Sequence, residues 1–169
     1  MSAEASSNVT LIGMPGSGKS TIGVVLAKRI NRQFIDTDLV IQTTHQRTLQ
    51  EIMDAEGFAE FCKLEEEAVL SVDVAHHVVA TGGSVVYGPE GMEHLKQLGK
   101  VVFLKTGLKT LEERLSNMAT RGIALRPGQT LEDLFHERNR LYTEYADITI
   151  SCDGLNVEQI CEQIEAALA

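Results

Sequence analysis

Glycines, a lysine and hydroxyl side chains lie close together near the start of the chain, in the stretch Gly13-Met-Pro-Gly-Ser-Gly-Lys-Ser-Thr21. The spacing Gly-x-x-x-x-Gly-Lys-Ser is typical of a phosphate-binding loop, in which glycines let successive backbone N–H groups converge on one anion. In such a loop the lysine contacts the β- and γ-phosphates of ATP, and the serine hydroxyl ligates Mg²⁺. We therefore predict an ATP site, with Mg²⁺ bound at Ser20, formed by Gly13, Gly16, Ser17, Gly18, Lys19, Ser20 and Thr21.

Two carboxylates, Asp36 and Asp38, follow a short predicted strand at 33–36. Residues two apart in an extended chain point to the same side, and parallel α/β folds bind ligands at the carboxyl ends of their strands. One carboxylate could hold the water shell of Mg²⁺, and the other could accept the proton of a substrate hydroxyl. A capped turn entering the next helix would look the same, but the upstream loop favours the functional interpretation.

Two charged residues interrupt apolar helix faces. Glu65 lies within the apolar stripe of a predicted helix at 57–72, and Arg138 within that of a predicted helix at 130–145. A charge on an inward face is costly unless it is paired or faces a cleft. An ion pair between the two helices is one interpretation, and a polar substrate pocket is the one that we favour.

Two glycine-containing segments remain. Gly82 and Gly83 follow a predicted strand at 77–81, where glycine would allow the backbone to approach a ligand closely, although a plain turn would look the same. The segment from Arg121 to Gly128 carries two arginines, two glycines and a proline between helices. We predict that 120–129 is a mobile lid, ordered mainly when substrates are bound.

Apolar runs alternate with helical patterns, which is typical of a parallel sheet covered on both faces. The predicted strands are 9–12, 33–36, 77–81, 100–105 and 147–151. The predicted helices are 18–31, 48–55, 57–72, 89–98, 108–119, 130–145 and 157–168, with capping boxes at Thr48, Thr130 and Asn156. These elements predict an α/β P-loop NTPase fold with a five-stranded parallel sheet and helices on both faces. We expect one domain over 1–169, in which about 38–72 forms a helical substrate-binding part.

Composition limits the classes of function. The net charge of −9 argues against a nucleic-acid-binding surface. The chain has three scattered cysteines, too few for a disulfide framework or a zinc site, so we expect a cytoplasmic protein with reduced thiols. We also expect no membrane association, a small-molecule hydroxylated substrate as partner, and a monomer.

Taken together, the motifs resemble those of the shikimate kinase family, over nearly the whole length from Val9 onwards. The resemblance rests on the loop, Phe-Ile-Asp-Thr-Asp at 34–38, Phe-x-x-x-Glu at 61–65, Ala-Thr-Gly-Gly at 80–83 and Arg-Pro at 126–127, followed by the Arg-x-x-Leu-Tyr run that starts at 138. It implies an ATP-dependent kinase that phosphorylates shikimate.

The resemblance also implies roles for individual residues. Ser20 and Asp36 would serve Mg²⁺, and Asp38 would bind the acceptor hydroxyls and act as base. Gly83 and Arg138 would bind shikimate beside Gly82, and Glu65 would orient a neighbouring arginine. Arg126 would close over the transferring phosphoryl group, and Arg121 would lie near the nucleotide.

The chain departs from the family pattern at several positions. Cys62 stands where the resemblance implies an arginine that grips the shikimate carboxylate, Ser84 replaces a glycine, and Gly128 and Gln129 follow Arg-Pro. One lost charged hydrogen-bond partner is worth about 1.5–3 kcal/mol. The leading hypothesis is a shikimate kinase. The alternatives are a kinase of another hydroxylated acid or polyol, gluconate-like, and a nucleotide-binding protein without shikimate kinase activity.

Overall fold

The computed structural model describes residues 7–116 and 126–169. The strands are β1 (Asn8–Ile12), β2 (Gln33–Asp36), β3 (His77–Ala80), β4 (Gly99–Lys105) and β5 (Ile148–Ser151). The helices are α1 (Lys19–Arg29), α2 (Thr37–His45), α3 (Leu49–Leu70), α4 (Pro89–Leu98), α5 (Leu108–Ser116), α6 (Leu131–Tyr145) and α7 (Val157–Leu168). A single 3₁₀ turn, Val85–Tyr87, follows β3. Each predicted strand agrees with an observed one to within one residue at either end.

The strands form one sheet in the order β2-β3-β1-β4-β5, and every neighbouring pair is parallel. The prediction of a five-stranded parallel sheet is therefore confirmed. Because all strands run the same way, the loops after β1, β2 and β3 leave the sheet at one edge. Those three strand ends position the candidate site residues. The phosphate-binding pattern follows β1, Asp36 is the last residue of β2, and the Gly82-Gly83 pair follows β3.

Both faces of the sheet are apolar, as expected for a parallel sheet between helices. Alternate residues of β4 point to opposite faces, so that Val101 and Phe103 belong to one buried cluster and Val102 and Leu104 to the other. The end of α3 and helices α4, α5 and α6 contribute to the first cluster, and α1 and α7 contribute to the second. The sheet is thus held between two helical layers, which confirms the predicted arrangement.

A third apolar cluster lies within α2 and α3 and consists of side chains of these two helices, with Ile41, Ile52 and Phe61 at its centre. Helix α2 was not predicted; it begins directly after β2, where the Asp36 side chain accepts a hydrogen bond from the backbone N–H of Asp38. The predicted separation of helices at 48–55 and 57–72 agrees with the structure, in which α3 consists of two helical segments that meet at a kink at Gly57 (φ 82°, ψ 178°). These backbone angles are nearly restricted to glycine.

The three predicted capping boxes are present, at Thr48, Thr130 and Asn156. They fix the starts of α3, α6 and α7, because each cap and the third helical residue satisfy one another's backbone N–H groups. The predicted helix at 108–119 is described as far as Ser116, and its last three residues lie outside the described part of the chain. None of the described helices is long and apolar enough to cross a membrane.

Candidate active site

The loop between β1 and α1 has the backbone geometry of an anion site. Gly16 and Gly18 have φ angles of 82° and 92°, in the left-handed region that favours glycine. Gly18 is also the N-cap of α1 and has no side chain to cover the helix end. The first backbone N–H groups of α1 therefore face the loop, where a phosphate would meet them together with the positive end of the helix dipole.

Lys19 lies across this loop. Its Nζ donates hydrogen bonds to the carbonyl oxygens of Gly13, at 2.7 Å, and Met14, at 2.8 Å. Burial lowers the pKa of Lys19 to about 8, although the nearby Asp38 carboxylate favours the charged form. A phosphate in the loop would stabilise the ammonium, since an adjacent anion favours the charged form.

Ser20 and Asp36 are brought together, as the prediction of a shared metal role requires. The Ser20 hydroxyl donates to Asp36 Oδ2 at 2.8 Å, and both residues line the same cavity. Asp38 also faces the cavity, but the reason given from the sequence was wrong. Asp38 lies in the first turn of α2 rather than on an extended strand, and the capping hydrogen bond to Asp36 fixes its position.

One cavity of about 530 Å³ joins the phosphate loop to the helical part of the protein. Its walls come from the loop and α1, from the ends of β2 and β3, and from α2, α3 and α6. The predicted site residues that line it are Gly16, Gly18, Lys19, Ser20, Thr21, Asp36, Asp38, Glu65, Gly82, Gly83 and Arg138. Gly13 and Ser17 belong to the same loop but lie outside this lining set.

Glu65 reaches the cavity from α3 and is 1% exposed. Its Oε2 accepts a hydrogen bond from the Ser84 hydroxyl, whereas its Oε1 has no hydrogen-bond partner among the described residues. Burial raises the pKa of Glu65 to about 7, and the negative charge of Asp38 adds to this shift. Glu65 is therefore a carboxyl group that changes charge near neutral pH.

Arg138 reaches the cavity from α6 and is also 1% exposed. Its guanidinium carbon lies 5.3 Å from the ring centroid of Tyr87, and its positive charge acts on the nearby hydroxyl groups of Tyr87 and Tyr142. The Tyr142 hydroxyl donates to the carbonyl oxygen of Gly83. The favoured interpretation, in which Glu65 and Arg138 face a polar pocket, agrees with this geometry.

The glycines after β3 leave the space that these side chains occupy. A Cβ on Gly82 would lie 2.7 Å from Glu65 Oε1 and 2.8 Å from Asp38 Oδ1. A Cβ on Gly83 would lie 2.9 Å from Arg138 Nη1 and 2.8 Å from the Pro15 ring. Any larger residue at either position would displace these side chains, so packing against them requires glycine at both positions.

Two predicted site residues lie beside the cavity rather than in its wall. Cys62 is half-buried one turn before Glu65, and burial raises the pKa of its thiol to about 11. Arg126 donates to Glu137 Oε1 at 2.9 Å and lies over the ring of Phe58. Arg121 and the rest of the predicted lid up to 125 lie outside the described residues.

Sequence reasoning missed the group that holds Arg126. Tyr87 and Gln129 also donate to Glu137, at 3.0 and 2.9 Å, and the Arg126 guanidinium carbon lies 5.6 Å from the Tyr87 ring centroid. The one available signal was the position of Glu137 next to the inward-facing Arg138. That position indicates that Glu137 is partly buried, but it does not identify the residues that donate hydrogen bonds to it.

The chain is similar to known proteins over most of its length. A family model described as shikimate kinase matches residues 15–169. The chain is 37% identical over 167 residues to a shikimate kinase of Paracidovorax citrulli, covering 95% of this chain and 91% of that protein. It is 34% identical over 158 residues to a shikimate kinase of a Sulfurihydrogenibium species, covering 93% and 95%.

Solved structures agree with the sequence matches. A shikimate kinase from Acinetobacter baumannii in complex with shikimate superposes with a TM-score of 0.86 at 30% identity, covering 98% of this chain and 94% of that one. A sugar kinase from a Janibacter species superposes with a TM-score of 0.58 at 14% identity. The latter likeness concerns the fold alone.

Proposed function

The chain belongs to the shikimate kinase family, and from that premise we propose that it transfers the γ-phosphoryl group of ATP to a hydroxyl group of shikimate. It is a phosphotransferase with an alcohol group as acceptor. The observation that carries the proposal is the shared cavity, in which Lys19 of the phosphate loop and Asp38 of the acceptor side face the same space.

In the proposed reaction, Asp38 accepts the proton of the acceptor hydroxyl. The hydroxyl oxygen forms a bond to the γ-phosphorus, and the bond between the γ-phosphorus and the bridging oxygen breaks, so that its electron pair leaves with ADP. Lys19 and the N–H groups at the start of α1 bind the phosphate oxygens on which negative charge accumulates. Asp38 is suited to its role because the capped start of α2 fixes it close to Lys19.

Mg²⁺ fits the oxygen ligands on the phosphate side. The Ser20 hydroxyl and the Asp36 carboxylate are 2.8 Å apart in the cavity wall, and Mg²⁺ in phosphoryl-transfer sites is held by one or two protein oxygens, water and substrate phosphates. We propose that these two residues hold the ion, Asp36 through water. When bound, Mg²⁺ would neutralise charge on the β- and γ-phosphates.

One observation favours a second candidate, a kinase of another polyhydroxylated acceptor such as gluconate. The resemblance implies an arginine at position 62 for the shikimate carboxylate, and this chain has a neutral, half-buried cysteine there. A thiol offers one weak hydrogen-bond donor where an arginine can offer two parallel N–H bonds. Arg138 would then be the main cation for a carboxylate-bearing acceptor.

The remaining parts of the proposal rest on sequence composition. A net charge of −9 supports a protein that binds no nucleic acid, and the three cysteines support a cytoplasmic location with reduced thiols. We propose that the protein acts as a monomer, because residues of one chain supply both the phosphate loop and the acceptor residues that line the cavity.

The proposal is tested by ADP release from MgATP with shikimate, gluconate, quinate and myo-inositol as acceptors. Shikimate-dependent ADP release, with shikimate 3-phosphate as the product, is the expected result. Faster turnover of myo-inositol, gluconate or quinate than of shikimate would support the second candidate instead. ATP binding without ADP release in the presence of any acceptor would overturn the assignment as a kinase of this group.

A further inference from the structure

The Arg126 side chain is held by residues of three different elements. Its guanidinium carbon lies 5.2 Å from the ring centroid of Phe58 and 5.6 Å from that of Tyr87, and its Nη1 donates a hydrogen bond to Glu137 Oε1 at 2.9 Å. Phe58 belongs to α3, Tyr87 to the 3₁₀ turn after β3, and Glu137 to α6. We call these three residues the Arg126 clamp, because they meet the cation with two aromatic rings and one carboxylate.

The clamp residues also hold one another in place. The rings of Phe58 and Tyr87 pack edge to face, with their centroids 5.7 Å apart and their planes at 74°. The Tyr87 hydroxyl donates to Glu137 Oε1 at 3.0 Å, and the Gln129 side chain donates to Glu137 Oε2 at 2.9 Å. The two rings and the carboxylate are therefore positioned by contacts other than those with Arg126.

The kink in α3 places Phe58 in this clamp. Phe58 directly follows Gly57, whose backbone angles (φ 82°, ψ 178°) are nearly restricted to glycine. A Cβ on Gly57 would meet no heavy atom of the described residues within 4 Å, so glycine is needed there for its conformation and not for space. The kink sets the direction of the second segment of α3, and with it the place of the Phe58 ring beside Tyr87.

The clamp lies outside the nucleotide half of the cavity. Neither Arg126 nor any of the three clamp residues belongs to the described residues that line the cavity, whereas Lys19 of the phosphate loop does. The resemblance implies that Arg126 closes over the transferring phosphoryl group. Contacts with the clamp and contacts with the phosphates are thus made at different places, and one guanidinium group has to serve both.

We propose that the Arg126 clamp is an autoinhibitory contact, which competes with the phosphates of ATP for the Arg126 side chain. The inference rests on the proposed function, because it takes the phosphates of ATP as the second partner of Arg126. A ligand binds more weakly when only a fraction of the protein is in the conformation that binds it fully. The clamp therefore lowers the affinity for ATP without touching the nucleotide.

The test measures the affinity of the full-length protein for the Mg²⁺ complex of a non-hydrolysable ATP analogue, adenylyl imidodiphosphate, by isothermal titration calorimetry. Glu137→Gln removes the charge that holds Arg126 and should tighten binding about threefold. Glu132→Gln removes the same charge from an exposed position of α6 and is the matched control, which should keep the wild-type affinity. Unchanged affinity in Glu137→Gln would overturn the proposal.

A double-mutant cycle separates release of Arg126 from a direct repulsion between Glu137 and the phosphates. Arg126→Ala should weaken binding of the analogue about threefold or more, because a charged contact with the phosphates is lost. Adding Glu137→Gln to Arg126→Ala should then change nothing, since no arginine is left to release. A threefold gain that persists without Arg126 would overturn the proposal, as would unchanged affinity in Arg126→Ala.

A second variant tests the aromatic part of the clamp. Phe58→Leu keeps an apolar side chain but removes the ring face, and it should tighten binding of the analogue about twofold when Arg126 is present and not in Arg126→Ala. Phe135→Leu removes a ring that packs against His136 on α6 and is the matched control. A gain in Phe135→Leu as large as in Phe58→Leu would mean that loss of any ring has this effect, and the clamp would be wrong.

These results are separable from those of the proposed function. ADP release with shikimate, together with a Glu137→Gln effect that does not need Arg126, would overturn this inference and leave the kinase assignment standing. A Glu137→Gln effect that depends on Arg126, without ADP release for any acceptor, would do the reverse.

Discussion

The phosphate side and the acceptor side of the cavity are built in different ways. Apart from Asp36, the phosphate side is one continuous segment, 13–21, in which backbone N–H groups and Lys19 would bind the phosphates. The acceptor side consists of single side chains from α2, α3, the loop after β3 and α6, which lie far apart in the sequence. Those side chains are Asp38, Glu65, Ser84 and Arg138.

This difference is consistent with where the chain departs from the pattern that the resemblance implies. The loop geometry depends on several glycines at once, so one substitution there would damage the whole anion site. On the acceptor side a single side chain can change, because α2 and α3 have an apolar cluster distinct from the two that cover the sheet. Cys62 and Ser84 are both found on that side. Acceptor specificity can thus change while the phosphate-binding loop is kept.

The largest expected effect comes from removing the central cation of the phosphate side. Lys19→Ala should lower turnover by about 100- to 1000-fold with every acceptor, as for other groups that stabilise transition-state charge. The Michaelis constants for acceptors should change by less than about threefold, because Lys19 contacts the phosphates rather than the acceptor.

Steady-state kinetics with two acceptors checks this prediction, and a thermal melt confirms that the variant is folded. Lys28→Ala, on the same helix but outside the cavity lining, is the matched control and should keep wild-type activity. Unchanged turnover in Lys19→Ala would show that Lys19 does not act on the phosphates, and the comparison between the phosphate side and the acceptor side would then fail.

On the acceptor side, Glu65 should make the free energy of unfolding depend on pH. The pKa of Glu65 is about 7 in the folded protein against an ordinary 4.5, so the folded state holds this proton more tightly than the unfolded state does. Its contribution to stability is full below pH 4.5 and is lost as pH rises through 7. Relative to Glu65→Gln, the wild type should lose about 2 kcal/mol between pH 5 and pH 8, about 30-fold in the unfolding equilibrium.

Denaturant unfolding of both proteins at pH 5, 6, 7 and 8 measures this difference. Glu67→Gln, an exposed acid on the same helix, is the control and should show no pH-dependent difference from the wild type. If the curves for wild type and Glu65→Gln run parallel, Glu65 is not a buried acid of raised pKa.

A smaller effect is expected from restoring the arginine that the family resemblance implies. Cys62→Arg should lower the Michaelis constant for shikimate by about 10-fold, the low end of one charged hydrogen bond. The structure adds a condition, because Ser84 already donates a hydrogen bond to Glu65. The double variant Cys62→Arg/Ser84→Gly should therefore show the larger gain, since it frees Glu65 to pair with the new arginine.

The comparison is shikimate against myo-inositol, which has no carboxylate and should gain little. Ala59→Arg introduces the same charge at an exposed position of α3 and is the matched control. A wild type that already saturates at low shikimate concentration would show that Arg138 suffices. Unchanged shikimate kinetics in both arginine variants would show that the pocket is shaped for another acceptor.

The smallest effect concerns Arg126, which the resemblance places on the phosphate side but the structure places against Glu137. This ion pair has a half-exposed arginine, so it is worth about 0.2–1 kcal/mol. Glu137→Gln should release Arg126 and lower the Michaelis constant for ATP by about threefold. Glu132→Gln on the same helix is the control, because it leaves Arg126 bound to Glu137. A raised constant in Glu137→Gln would mean that Glu137 positions Arg126 for ATP instead.

Sequence reasoning worked best where the pattern is local. The strands, the capping boxes and the phosphate loop were predicted within a residue or two, because each depends on neighbours in the sequence. Helix α2 was missed because its start looks like a turn that follows a strand. The break near Gly57 was placed correctly, between the two helical segments that make up α3.

The acceptor side was harder, because its geometry depends on contacts between distant elements. Glu65 and Arg138 were identified as inward-facing charges, yet the sequence could not show that Ser84 donates to Glu65. It also could not show that Tyr87 lies against both Arg126 and Arg138. Contacts of this kind leave no periodic signal in the sequence, since they are made by single side chains.

The position of Tyr87 gives the protein a built-in optical reporter. The chain has no tryptophan and three tyrosines, so its near-ultraviolet emission comes from Tyr87, Tyr142 and Tyr145. Tyr87 donates to the Glu137 carboxylate and contacts the guanidinium group of Arg126, and a carboxylate that accepts from a phenol quenches its fluorescence. Departure of Arg126 towards the nucleotide would change that environment, so its movement can be timed by stopped-flow fluorescence without attaching a dye.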